Sequence, residues 1–316
     1  MQRFLSHVAG LAGLALIAFR PAPCAAQESA GDDFSSRLFP GLAGKSAEDI
    51  RLAGIAALNP GRLLTAEPKS PTRVVPEVRK TRVAELPRGG AYVRLYTPDA
   101  AAIRDRAGRT PLVVDCRYLS TSLADVDAWS AVAAALTGAM PMVTVSGSYP
   151  APAAIASAPP AGTAPVLVLV NRETSGPLEA MLAALQSEGK IYLVGADTAG
   201  RTGTYKPLPG REGYWILSGE ILPGADPSKS LVGVGAKPKF PVKVAPEDEF
   251  LAWQLVERGS PLAGVLTHDS LGKTESASGA KSAETKTADN PHAPAADPAL
   301  QRAQDVVVAL QVLGGK

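Results

Sequence analysis

An α/β fold built on a parallel sheet is predicted by three features of this 316-residue chain. Val166 to Val170 and Ile191 to Val194 are short apolar runs rich in β-branched residues, which suit strands buried on both faces. Between them Leu178, Met181, Leu182 and Leu185 recur at helical spacing, so the unit reads strand, helix, strand. Pro111 to Arg117 offers another such strand, and Leu123 to Leu136 carries Val126, Trp129, Val132 and Leu136 on one helical face.

Residues 1–26 read as a secretory signal peptide. Arg3 opens it, Val8 to Phe19 is an apolar core too short to span a bilayer, and Pro21 to Ala26 offers small residues for cleavage. Cys24 lacks the flanking residues of a lipoprotein signal. An exported, periplasmic or secreted protein, soluble after cleavage, is the expectation. The remainder carries 30 acidic residues and as many basic ones, a balance that argues against nucleic acid or an anionic membrane as main partner. No later run is long enough for a membrane span. Cys116 is the one cysteine after residue 26, so no internal disulfide can form, and its apolar setting suits an inert thiol.

Residues 27–80 read as a short N-terminal helical segment and linker. Ser46-Ala47-Glu48-Asp49 resembles a capping box for a helix bearing Ile50, Ala53, Ile55 and Leu58, and Asn59-Pro60-Gly61 ends it. Glu67 to Val78, rich in proline and charge, reads as extended. The core, residues 81–266, opens with strands at Arg82 to Leu86 and Ala91 to Tyr96, and Thr97-Pro98-Asp99 caps a short helix. Met142 to Val145 reads as a strand and Ser148 to Pro165 as an irregular connection. An amphipathic helix is expected through Phe250, Leu251, Trp253, Leu255 and Val256. Residues 267–298 lack aromatic residues and read as a disordered insertion. Residues 299–316, with Val306, Leu310 and Leu313, read as a C-terminal helix.

The central unit carries the chemistry. Pro177 suits the first position of its helix, Glu179 complements the helix dipole, and Gly189 ends it. Two loops, at Ser175-Gly176 and around Arg201, then fall where a parallel sheet builds its site.

From Asn171 to Tyr205 the chain resembles the C-terminal-processing (tail-specific) serine peptidases, which have a ClpP/crotonase-like core. Anchoring on Asn171, Glu179 and Val194-Gly195 aligns the segment without a gap. The family's nucleophilic Ser position then holds Gly176, its Lys position Arg201 and its Gln position Tyr205. The family strand ending Asp-Leu-Arg-Gly-Asn-x-Gly-Gly is matched by Asp115-Cys116-Arg117, but Tyr118, Leu119, Ser120, Thr121 and Ser122 stand where the glycine run should be. Gly213 to Glu220 and Val232 to Pro238 resemble the family's later strands, so the resemblance implies strands there. Linker length leaves no room for the PDZ domain that many of these peptidases carry.

A Ser–Lys dyad needs a hydroxyl nucleophile and a neutral amine as base. Glycine has no side chain, and arginine keeps its proton. The resemblance therefore implies a pseudoprotease, a peptide-binding or scaffold protein whose partners would be peptides or protein C-termini of the cell envelope. Asp115, Arg117 and Asn171 are the candidate binding residues, although Asp115 and Arg117 equally suit a structural ion pair. The alternative is an active serine-type endopeptidase with a shifted nucleophile, Ser175, whose plainer role is a capping hydroxyl. An acyl-CoA enzyme of the same fold rests on analogy alone. No cofactor or metal is expected: the only histidines after residue 26 are His268 and His292, both within 267–298.

Overall fold

The computed structural model describes residues 46–58, 61–64, 80–153, 162–257 and 297–314. The chain divides into two compact units, Met1–Arg51 and Leu52–Lys316. In the first, the Asp49 amide donates to Ser46 Oγ (3.2 Å), while the Ser46 amide donates back to Asp49 Oδ2 (3.3 Å). That reciprocal cap starts helix α1, Ala47–Leu58. The segments expected as signal peptide and as insertion up to residue 296 lie outside the described residues.

The second unit carries the rest in chain order. Strands β1 (Leu63–Leu64), β2 (Arg82–Glu85) and β3 (Ala91–Arg94) precede helix α2 (Ala100–Arg104) and strand β4 (Leu112–Asp115). Helix α3 (Val126–Thr137), strands β5 (Val143–Gly147) and β6 (Val166–Val170), helix α4 (Pro177–Ser187) and strand β7 (Tyr192–Gly195) follow. Strands β8 (Gly203–Pro207), β9 (Trp215–Pro223) and β10 (Phe240–Pro241) lead to helices α5 (Pro246–Glu257) and α6 (Pro298–Gly314). The class is α/β, and no PDZ-like module occurs among the described residues.

A six-stranded sheet in the order β10-β7-β6-β4-β3-β2 forms the centre, parallel throughout except for the β2–β3 pair. Alternation along its strands sorts the core onto two faces. Val93, Val114, Val166, Val168 and Leu193 face α3 and α4, where they meet Trp129, Val132, Met181 and Leu185. Tyr92, Val113, Leu167, Leu169 and Val194 face the other way, against Val256 of α5 and Leu300, Ala303 and Val307 of α6. Strand β9 organises a smaller antiparallel sheet, pairing with β1, β5 and β8.

One expectation changes. Val232 to Pro238 forms turns and loop instead of a strand, because Gly233 and Gly235 take φ of +77° and +73°. The segment folds back on the loop after β7, with the Gly233 amide on Gly200 O (2.9 Å). The Gly200-Arg201-Thr202-Gly203 turn runs straight into β8, which carries Tyr205 as a strand residue.

Candidate functional site

The site is built from the loops that leave the carboxyl ends of β4, β6 and β7. Gly176 is the N-cap of α4, with φ +87° and ψ −158°, a backbone shape only glycine adopts readily. One turn into the helix, the fully buried Glu179 carboxylate turns back to collect the loop after β7. It accepts from the amides of Gly200 (2.7 Å) and Arg201 (3.1 Å), and from the Thr198 hydroxyl. Thr198 Oγ1 in turn accepts from the Ala236 amide (2.6 Å). Burial raises the Glu179 carboxyl above its ordinary value, against the pull of these donors. Glu179 thus fixes the backbone that positions Arg201.

The Ser175-Gly176 step is closed by the segment after β4. The Ser175 amide donates to Leu119 O (3.0 Å) and the Thr121 amide to Ser175 O (3.0 Å), so Ser120 and Ser175 form a parallel bridge. Thr121 Oγ1 also donates to Ser175 O (2.7 Å) and accepts from the Leu178 amide (3.3 Å). The Gly176 amide is spent on Arg201 O (3.2 Å). A Cβ on Gly176 would come 2.2 Å from Thr121 O and 2.5 Å from Thr121 Oγ1. Both backbone donors at the step, Ser175 N–H and Gly176 N–H, already have partners within the chain.

Ser175 is 2% exposed, and its hydroxyl donates to Ser120 Oγ at 3.0 Å. A second hydroxyl is no base, so the contact cannot activate it. The Arg201 side chain is exposed to solvent. Tyr205 turns its hydroxyl onto Gly61 O (2.6 Å), and burial together with nearby Glu220 raises the phenol above its usual range. The fold therefore brings Gly176 and Arg201 together through their backbones, while the Tyr205 hydroxyl is engaged elsewhere.

Asp115 and Arg117 lie in a buried charge network beneath α6. Arg117 bonds Asp115 (2.8 Å) and Asp297 (2.8 Å), and Arg94 bonds Asp115 (3.1 Å). The Tyr92 hydroxyl donates to Asp115 Oδ2 (2.7 Å), and Asp297 Oδ1 accepts from the Leu300 amide (3.0 Å), capping the helix. Burial alone would raise the Asp115 carboxyl, but Arg117 and Arg94 hold it well below the ordinary range. All five side chains are at most 2% exposed, and none of the five lines the cleft beside Asn171.

Asn171 sits differently, at a cleft of about 850 Å³. Its Oδ1 accepts from the amides of Tyr118 (3.1 Å) and Glu173 (3.1 Å), and its Nδ2 donates to Glu249 Oε2 (3.1 Å). Tyr118 takes φ +59° and packs edge-on against Phe250 (5.3 Å) and Trp253 (5.1 Å) of α5. Among the described residues no group of three or more His, Cys, Asp or Glu is placed to hold a metal ion. No helix among them is long and apolar enough to cross a membrane.

No protein-family model matches the chain, and no curated protein does. Among solved structures, the photosystem II D1 C-terminal processing protease is similar at 20% identity and TM-score 0.38, over 54% of this chain and 50% of that one. The match spans half of that protease's length. A lipoprotein from Streptococcus agalactiae is similar at 13% identity and TM-score 0.34, over 55% of this chain and 69% of its own. Mature CPAF complexed with lactacystin is similar at 10% identity and TM-score 0.34, over 67% and 58%.

Sequence reasoning missed Tyr92, Arg94, Asp297 and Glu249. A signal existed for the first two. Tyr92 and Arg94 lie two apart on a strand and so share one face, where a buried arginine needs the carboxylate that Asp115 supplies.

Proposed function

We propose that this protein is an exported pseudoprotease: it keeps the strand–helix–strand scaffold of the tail-specific serine peptidases and does not hydrolyse peptides. The observation that carries the reading is Thr121, lodged 2.2 Å from where a Cβ on Gly176 would begin. The aligned serine position lacks a side chain and the space for one. Arg201 in place of lysine supports the same conclusion, because a guanidinium does not give up its proton to act as a base. Export rests on the charged start and short apolar core of residues 1–26.

A scaffold role is favoured over a peptide clamp at Ser175-Gly176, since Leu119 and Thr121 already pair with that segment. Peptides or protein C-termini of the envelope remain the partners that the resemblance implies.

The test is to incubate the purified protein with unfolded protein substrates and, separately, with a fluorophosphonate probe, beside a Ser175→Ala control. Neither cleavage nor labelling is expected. Labelling of the wild type that disappears in the Ala variant would establish a relocated serine nucleophile and overturn the proposal.

A further inference from the structure

The cleft beside Asn171 carries chemistry that the sealed Ser175-Gly176 step does not use. It lies at the carboxyl ends of the parallel strands β6, β7 and β10, where open α/β sheets hold their ligands. Its volume of about 850 Å³ suits a ligand larger than a single amino acid. Pro241, Val242 and Val244 give it an apolar wall.

Charge of both signs faces this space. Arg172 and Lys243 line it with Glu173 and Asp197, and none of the four makes an ion pair with a described residue. Glu173 Oε2 is moreover buried and without a hydrogen-bond donor among the described residues. A buried carboxylate oxygen left unpaired is costly, and a positively charged donor is the partner that relieves it best. A metal ion is not that partner, since the carboxylates here are not grouped to share one. Arg172 and Lys243 offer the complementary contact, to a carboxylate.

We propose that this cleft is a binding site for a zwitterion of di- or tripeptide size. Its ammonium group is held by Glu173 and its carboxylate by Arg172 or Lys243, with its body along Val242 and Val244. The proposal is independent of the pseudoprotease reading, because it involves neither Gly176 nor Arg201.

Trialanine is the probe, titrated into the isotope-labelled protein and followed by amide chemical shifts. Shifts are expected at Ala196, Asp197 and Lys243. N-acetyl-trialanine, which lacks the ammonium, and trialanine amide, which lacks the carboxylate, should each bind about tenfold more weakly, as loss of a charge-assisted bond predicts. Glu173→Gln should abolish the preference for the free amine, and Arg172→Gln with Lys243→Gln the preference for the free carboxylate. Unchanged shifts elsewhere will show that these variants fold. Equal binding of the blocked peptides, shifts confined to another region, or no shift up to about 10 mM trialanine would overturn the assignment.

Discussion

The carbonyl oxygen of Thr121 occupies the space into which a side chain on Gly176 would project, 2.2 Å from the ideal Cβ position. The contact joins a residue after β4 to one before α4. Substituting serine at Gly176 should cost about 2–5 kcal/mol, combining a backbone shape foreign to L-residues with an overpacked contact. Gly189 supplies the control. It also has positive φ (+71°), but a Cβ there meets nothing within 4 Å. Urea unfolding of Gly176→Ser and Gly189→Ser should give at least twice the destabilisation for the first. Equal losses would mean that Thr121 yields easily and does not close the Ser175-Gly176 step.

The Asp115–Arg117–Asp297 chain predicts how the last helix is held. Asp297→Ala leaves the Arg117 guanidinium buried with one carboxylate fewer and removes the cap from the Leu300 amide. Breaking a buried pair in this way costs about 3–5 kcal/mol. Hydrogen exchange should accelerate across Leu300 to Val307 well before it does in β6. If protection of the helix were unaffected, apolar packing alone would be docking it.

Two buried carboxyls should pull stability in opposite directions with pH. Asp115 is held below its ordinary value, so its contribution is complete above about pH 3.9 and is lost as pH falls toward the folded value. Glu179 is raised by burial, so the folded state keeps its proton longer than the unfolded chain. Stability from that group therefore declines as pH rises from about 4.3 through its folded value. Denaturant midpoints of wild type and Glu179→Gln across this range should converge toward low pH and separate as Glu179 ionises, with wild type losing ground. Parallel curves would show that Glu179 is not raised.

Much of the layout was legible in the chain. The run Val166 to Val170 is a fully buried strand because its residues are apolar on both faces, and Ser46, Asp99 and Pro177 mark helix starts where local hydrogen bonding and fixed φ require them. The strand expected in Val232 to Pro238 rests on resemblance to the later strands of the peptidase family, and the segment forms turns instead. Its two glycines were the better signal, since each adopts positive φ to wrap the Thr198–Gly200 loop.

What the sequence by itself determined is the chemistry available at each candidate position. Gly176 has no nucleophile, and Arg201 is a guanidinium wherever it lies, because these are intrinsic properties of side chains. Only the tertiary structure decided what stands beside them. Thr121 closes on Gly176, Asp297 reaches Arg117 from 180 positions away, and Asn171 faces a cleft while Asp115 does not. Such contacts join segments remote in the chain. They are set by strand order and by the packing of α5 and α6 on the sheet, which local propensity does not encode.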